Sequence, residues 1–187
     1  MGAFKRGEIK TLCNFVKPKY GILTTVGTAH LESFGSREDI QKGKFELIES
    51  LPSDGVAILN KDDEWQTSYK LKNNCKVLWI GIDNKEADIY ATNINLSKDG
   101  TNFDIVFNKT NEKHHFETKL LGKANVYNIL AAVMLGYELN MNIEELVNKC
   151  EKELETEFKK VDMICEFNSK KVLSAFQKNR VSESHFN

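Results

Sequence analysis

The chain has 187 residues, of which 41% are hydrophobic and 28% are charged, and its formal net charge is -1. This length fits one domain with an appendage, and the balanced charge argues against nucleic acid or an anionic membrane as a partner. No apolar run reaches the roughly 20 residues that span a bilayer, and no secretion signal opens the chain, so we expect a cytoplasmic protein. The four cysteines form no C-x-x-C pair, which argues against zinc and disulfides.

The first half of the chain alternates between helix-like and strand-like segments. Apolar residues at helical spacing predict helices, and short apolar, β-branched runs predict buried strands. In chain order these are a helix at 7–15, a strand at 20–26, a loop with His30, a helix at 37–51, and strands at 56–59 and 76–80. This alternation favours an α/β fold with a parallel sheet and helices on its faces.

The second half changes character, because apolar and polar residues alternate along three segments in the manner of half-exposed antiparallel strands. The segments are 87–95, 102–107 and 115–120, and helical patterns return at 124–139 and 143–154. We interpret the strands as a small antiparallel extension. Periodicity is lost afterwards, so we expect one domain at residues 1–154 and a divergent, poorly packed tail or isolated helix at 155–187.

Lys44 interrupts the apolar stripe of the helix at 37–51. Ile40 and Ile48 lie one turn before and one turn after it, so its side chain belongs to the inward face. A buried unpaired ammonium is strongly destabilising, so this amine must be paired, chemically modified or extended to water. Extension to water with a packed stem is common for lysine and stays open as the alternative to a functional role.

His30 follows a predicted strand and the small-residue turn at 27–29. Ligands of α/β proteins bind beyond the carboxyl ends of the strands, where a neutral imidazole can ligate a divalent ion or contact a phosphate. A surface-loop histidine without such a role is the alternative.

Two further polar pairs lie at predicted junctions. Asn125 and Asn128 share one side of the helix at 124–139, where two amides can bind the edge of a purine, although Asn125 as a helix N-cap is the alternative. The turn with Asn60 and Asp63 follows the strand at 56–59, and its two carboxylates, those of Asp62 and Asp63, can hold a metal or a ribose hydroxyl. An ordinary strand-ending turn is the alternative for this second pair.

The order of these motifs resembles the Mur ligase family, in its central ATP-binding domain. The matching motifs are G-E-I at 7–9, T-A-H-L-E-S-F-G-S at 28–36, K-G-K-F-E at 42–46, N-K-D-D at 60–63 and G-K-A-N-V-Y-N at 122–128. The A-H-L-E-x-F-G-S run is the most specific of them. It resembles the branch of the family that adds D-Ala-D-Ala rather than a single amino acid.

The resemblance implies an ATP- and Mg²⁺-dependent amide-bond ligase of peptidoglycan synthesis. Such a ligase converts a carboxylate of UDP-MurNAc-peptide to an acyl-phosphate, which the amine of D-Ala-D-Ala attacks. By resemblance, the catalytic residues are Lys44, carbamylated by CO₂ and bound to Mg²⁺, and His30, the ligand of a second Mg²⁺. Asn125 and Asn128 match amides near the adenine, and the turn with Asn60 and Asp63 matches one beside the nucleotide.

Several features of the family have no counterpart in the sequence. These are its phosphate loop, its metal-binding glutamate and its C-terminal domain, and position 124 is alanine where many members have histidine. We therefore expect a fragment of the ligase without turnover on its own. A non-catalytic remnant or a nucleotide-binding module is the alternative, and a partner chain that supplies the phosphate loop is a third possibility.

Overall fold

The computed structural model describes residues 3–148. In chain order their elements are α1 (Glu8–Val16), β1 (Tyr20–Leu23), α2 (Leu31–Phe34), α3 (Arg37–Glu49), β2 (Val56–Asn60), α4 (Glu64–Thr67), β3 (Lys76–Gly81), β4 (Ile89–Ser97), β5 (Gly100–Phe107), β6 (Lys113–Thr118) and α5 (Lys123–Glu138). Residues 143–148 are also helical. The rest of the helix predicted at 143–154, and the boundary at 154, lie outside the described residues.

The strands form one sheet in the order β1-β2-β3-β4-β5-β6. Strands β3 and β4 pair in parallel, whereas β4, β5 and β6 pair antiparallel. Every residue of β2 is buried, while β6 alternates between exposed and buried positions. This contrast is the one expected between a strand covered on both faces and one with a solvated face. The predicted α/β class with an antiparallel extension is confirmed.

The described residues divide into two compact units. The first contains residues 3–57 and 68–77, with α1, β1, α2 and α3. The second contains residues 58–67 and 78–148, with α4, the antiparallel strands and α5. Among residues 3–148, no helix combines the length and apolar character needed to cross a bilayer.

In the first unit, α3 packs through the apolar stripe that the sequence predicts, since Ile40 and Ile48 are fully buried. The Ser36 hydroxyl accepts the backbone N–H of Asp39 at 3.1 Å and so caps the start of α3. Helix α1 starts after Gly7, which has no side chain to cap it. The Glu46 carboxylate of α3 accepts the N–H groups of Gly7 at 2.6 Å and of Lys10 at 3.0 Å, and so fastens α1 to α3.

In the second unit, α5 packs on β4 through an apolar face. Leu130, Ala131 and Val133 of this helix are fully buried. At Gly136, a Cβ atom would collide with the Leu146 side chain, so the glycine permits close packing of the helical segment at 143–148. The structure thus confirms the helix predicted at 124–139 and the first part of the one predicted at 143–154.

Three local features differ from the prediction. Strand β1 ends at Leu23 rather than at residue 26, and α2 and α4 occupy segments without a predicted element. Both helices have four residues, which is too short for an apolar period to show. His30 therefore lies at the start of a helical turn rather than within an open loop.

Candidate functional site

Lys44 lies in the middle of α3 and is half-buried. Its Nζ atom donates to the backbone carbonyl of Thr25 at 2.9 Å. The structure thus pairs this amine with a backbone oxygen, and pairing is one of the three ways in which an inward-facing lysine can avoid being a buried, unpaired charge. Lys42, two residues earlier on the same helix, is exposed.

The carbonyl that binds Lys44 belongs to the segment at 24–30, which connects β1 to α2 and carries His30. The Arg37 guanidinium donates through Nη2 to the next carbonyl of this segment, that of Val26, at 3.1 Å. Two cationic side chains of α3 therefore hold successive carbonyls just beyond β1. Their positive charge favours an anionic ligand at this end of the strand.

His30 is exposed, and its φ angle of 63° lies in the left-handed region, which is uncommon for residues other than glycine. Its ring meets the Phe4 ring edge-on, with the centroids 4.8 Å apart. None of the described residues forms a hydrogen bond with the imidazole. The ring nitrogens are therefore accessible to a ligand, in keeping with both the functional interpretation and its surface-loop alternative.

Gly43, directly before Lys44, permits α2 to pack against α3. A Cβ atom at this position would lie 2.7 Å from Cε1 of Phe34, so a larger residue would push the α2 ring away. Because α2 follows His30 directly, this contact also fixes the end of the segment at 24–30. Sequence reasoning missed this role, although a glycine inside a helical pattern is a signal for close packing.

In the turn after β2, the predicted pair Asn60 and Asp63 bonds within the chain. Asn60 is 5% exposed, and its Oδ1 accepts the backbone N–H of Asp62 at 2.9 Å. Asp63 accepts the backbone N–H of Trp65 at 3.0 Å and the amide of Gln66 at 3.1 Å, which starts α4. Both side chains thus shape the turn, and Asn60 has little surface left for direct contact with a ligand.

Asp62 is the other carboxylate of this turn that the sequence analysis offered as a metal or ribose ligand, and it bonds to donors of the protein. Its carboxylate accepts the backbone N–H groups of Ile82 at 2.5 Å, Asp83 at 3.1 Å and Asn84 at 2.7 Å, and the Tyr127 hydroxyl at 2.9 Å. Burial, followed by the Asp62 carboxylate, raises the pKa of the Tyr127 phenol, so it remains a proton donor. Asp62 thus joins the turn after β2 to the first turns of α5.

Asn125 is the third residue of α5 rather than its N-cap, because the helix starts at Lys123 after Gly122. Its Nδ2 donates to the Leu121 carbonyl at 2.8 Å. The N-cap interpretation is therefore wrong, since the glycine, with a φ of 87°, turns the chain into the helix. Asn128 is exposed, and its amide is accessible for binding.

Comparison with known proteins identifies the family of most of the chain. The profile of the Mur ligase middle domain matches residues 1–136. The chain belongs to the Mur ligase family. A second profile, that of methionine gamma-lyase, matches residues 143–187, most of which lie outside the described residues.

The similar proteins include more than one kind of Mur ligase. The chain is 36% identical over 129 residues to UDP-N-acetylmuramoyl-L-alanyl-D-glutamate–2,6-diaminopimelate ligase of Chlamydia muridarum, covering 68% of this chain and 26% of that protein. It is 33% identical over 137 residues to UDP-N-acetylmuramoyl-tripeptide–D-alanyl-D-alanine ligase of Bacillus subtilis, covering 73% and 28%. The chain thus spans less than a third of the length of these two relatives.

Solved structures agree with this assignment. A crystal structure of MurF from Acinetobacter baumannii superposes with a TM-score of 0.72 at 27% identity, covering 81% of this chain and 33% of that one. The six-stranded sheet and its helices are therefore those of a Mur ligase central domain.

The described part of the chain does not gather a ready-made metal site. Among residues 3–148, no group of three or more His, Cys, Asp or Glu side chains is placed to hold an ion. Mg²⁺ prefers oxygen ligands, and the amine of Lys44 offers none. A carbamate on Lys44 would supply oxygen atoms, so the residues fit Mg²⁺ when this lysine is modified.

Proposed function

We propose that this chain is the central part of an ATP-dependent ligase that adds D-Ala-D-Ala to UDP-MurNAc-peptide in the cytoplasm. In this reaction the peptide carboxylate becomes an acyl-phosphate, the dipeptide amine attacks it, and ADP and phosphate leave. The observation that carries the proposal is the bond from Lys44 to the segment with His30, in a chain of the Mur ligase family. Lys44 and His30 are the proposed catalytic residues.

The hydrogen bond to Thr25 is compatible with carbamylation of Lys44. The ammonium first loses a proton, the neutral amine attacks CO₂ to form an N–C bond as one C–O π bond breaks, and a second proton leaves the nitrogen, so that a cation is replaced by an anion. The nitrogen keeps one hydrogen, which can still donate to the Thr25 carbonyl, while the new oxygen atoms extend beyond it. The backbone would thus hold the modified side chain in one orientation.

His30 and the Lys44 carbamate would each bind Mg²⁺. When bound, Mg²⁺ neutralises the charge that develops on phosphate and acyl-phosphate oxygens. His30 offers an exposed imidazole, and the carbamate offers the oxygen atoms that this ion prefers. Arg37 adds positive charge at the same end of β1.

The ATP base would lie against α5, where Asn128 is exposed and Asn125 lies one turn before it. Asn60 and Asp63 complete the proposed nucleotide site by shaping the turn after β2. Since Asn60 is 5% exposed, we assign it an indirect role through this turn.

The choice of D-Ala-D-Ala as the amino substrate rests on the A-H-L-E-S-F-G-S run at 29–36. Likeness to structures of MurF, the Mur ligase that adds D-Ala-D-Ala, supports this choice. The relatives include ligases for diaminopimelate as well as for D-Ala-D-Ala, so both amines belong in the test.

A nucleotide-binding module without catalysis is the second candidate function. One observation favours it, namely that the exposed amide of Asn128 on α5 can bind a base without a metal ion. The two candidates differ in whether Lys44 takes up CO₂.

Carbon-13 NMR of the full chain with labelled bicarbonate and Mg²⁺ tests the modification. We expect a carbamate signal in the wild type that is lost in Lys44→Met and kept in Lys42→Met, the matched change at an exposed lysine of the same helix. Lack of the signal at saturating bicarbonate, with Mg²⁺–ATP still bound, would favour the binding module.

An ADP-release assay tests the reaction, with UDP-MurNAc-tripeptide as the partner of D-Ala-D-Ala and UDP-MurNAc-L-Ala-D-Glu as the partner of diaminopimelate. We expect no turnover by this chain alone with D-Ala-D-Ala or diaminopimelate, since backbone donors for the β- and γ-phosphates are not among its motifs. Turnover above background would contradict this expectation, and the amine that supports it would be identified as the amino substrate.

A further inference from the structure

A hydrogen bond between Asp62 and Tyr127 joins two segments of the proposed nucleotide site. The Tyr127 hydroxyl donates to Oδ2 of Asp62 at 2.9 Å, across 65 positions of sequence. Asp62 lies between Asn60 and Asp63 in the turn after β2, and Tyr127 lies between Asn125 and Asn128 on α5. The sequence analysis offered the Asp62 carboxylate only as a metal or ribose ligand, and it did not single out Tyr127.

We propose that Asp62 and Tyr127 form a positioning pair, which orients the amides of Asn125 and Asn128 toward the base of an adenine nucleotide. This inference rests on the proposed nucleotide-binding function and specifies how its base is recognised. A helix residue that is fixed at its side-chain tip limits rotation and sliding of its own turn. Because Tyr127 is next to Asn128, its hydroxyl limits the position of that amide most directly.

The backbone holds the Asp62 carboxylate in place independently of its hydrogen bond to Tyr127. Three backbone N–H groups at residues 82–84 donate to it, and they follow β3 directly. Hydrogen bonds to a carboxylate are stronger than those between neutral groups, and backbone donors have no side-chain rotamers to lose. The turn at 82–84 therefore sets the position of the carboxylate, and the carboxylate sets that of the phenol.

Asn60 supports this pair from within the turn, because its Oδ1 accepts the backbone N–H of Asp62 at 2.9 Å. Asn60 is buried, which limits direct contact with a ligand, yet this bond lets it act on α5 through Asp62 and Tyr127. The pair thus connects a buried residue of the turn to the exposed amide of Asn128. A site whose exposed groups are held by a buried second layer is preorganised for its ligand.

Binding of two nucleotides to the full chain tests the pair. Inosine diphosphate carries a keto oxygen where ADP has an amino group, so amides fixed in one orientation distinguish the two bases. In Tyr127→Phe, which removes only the hydroxyl, we expect the affinity for ADP to fall about three- to tenfold. We expect the affinity for inosine diphosphate to fall less, so the preference for ADP shrinks.

Tyr137→Phe is the matched control, because Tyr137 lies on the same helix and its hydroxyl has no hydrogen-bond partner among residues 3–148. Its nucleotide preference should equal that of the wild type. Amide hydrogen exchange without nucleotide gives a second measurement. Tyr127→Phe should speed exchange at 123–128 and leave 130–138 unchanged, since the apolar face of α5 still packs.

The outcomes separate this inference from the proposed function. If the wild type binds ADP and Tyr127→Phe keeps its affinity and preference, the positioning role is overturned and the proposed function stands. An equal fall in affinity for both nucleotides also overturns it, because the hydroxyl then acts through general stability. If the wild type binds neither nucleotide, the proposed function fails, and the positioning role fails with it.

Discussion

Two carboxylates of the second unit, Asp62 and Asp104, are rich in hydrogen bonds but have different kinds of donor. Asp62 accepts three backbone N–H groups and the Tyr127 phenol. Asp104 accepts bonds from side chains alone in the described residues, namely Asn93 at 2.7 Å, Lys113 at 2.9 Å and His115 at 2.8 Å. Backbone donors are already ordered by the fold, whereas exposed side chains lose rotamer freedom when they bond.

The Asp104 cluster is a product of strand register. His115 lies directly opposite Asp104 in the β5–β6 ladder, where cross-strand pairs interact. Asn93 reaches Asp104 from an irregularity in β4 between Thr92 and Asn95, with a φ of 53°. The hydrogen bond from His115, followed by that from Lys113, holds the pKa of Asp104 well below its usual range. We infer from this comparison that Asp62 holds the turn after β2 and α5 in place at the proposed nucleotide site. Asp104 contributes only to the stability of the pairing between β5 and β6.

The largest expected effect is that of Asp62→Ala. Four donors lose their acceptor, so we expect the free energy of unfolding to fall by about 3 kcal/mol. Urea unfolding monitored by circular dichroism measures this loss. Asp83→Ala is the matched control, because Asp83 is exposed and its carboxylate is 3.9 Å from Lys123. Losses of equal size in the two variants would contradict the organising role of Asp62.

A smaller effect is expected for Asp104→Asn, which removes the charge and keeps the shape. Exposed ion pairs contribute little, so the free energy of unfolding should fall by less than about 1 kcal/mol. The loss should shrink further in about 1 M NaCl, where exposed charges are screened. Asp99→Asn, at an exposed turn, serves as the control. A loss as large as that of Asp62→Ala, and insensitive to salt, would remove the distinction between the two carboxylates.

The smallest effect concerns pH, through His115. Asp104 raises the pKa of His115 above its ordinary value of 6.5, so the folded state binds this proton more tightly than the unfolded state. The contribution to stability is fully present below about pH 6.5 and is lost as pH rises through the raised pKa. The unfolding free energy of the wild type should therefore exceed that of His115→Gln at low pH, and the difference should vanish at high pH. A difference that grows with pH would contradict this sign.

Much of the fold follows from local patterns in the sequence. The apolar run at 56–59 predicts β2, and alternation at 115–120 predicts β6 within two residues. Alternation also places adjacent histidines on opposite faces, and the structure has His114 against Phe107 while His115 is exposed. Such features depend on neighbours within a few residues, which a pattern can record.

The end of β1 shows where such patterns fail. Thr24, Thr25 and Val26 continue a β-branched run, yet the strand ends at Leu23. Beyond its end, the carbonyls of Thr25 and Val26 accept hydrogen bonds from Lys44 and Arg37 of α3. Strand propensity could not predict these bonds, because their donors lie on the following helix.

The candidate site likewise has features that local sequence patterns predict and features that only the tertiary structure shows. The sequence by itself placed Lys44 on the inward face of α3 and His30 beyond a strand, because periods of 3.6 and 2 fix which way side chains point. Tertiary structure alone decided that Lys44 bonds to Thr25, 19 positions away, and that Asp62 rather than Asp63 bonds to Tyr127, 65 positions away. Such partners depend on how distant segments fold together, and local periodicity carries no record of that.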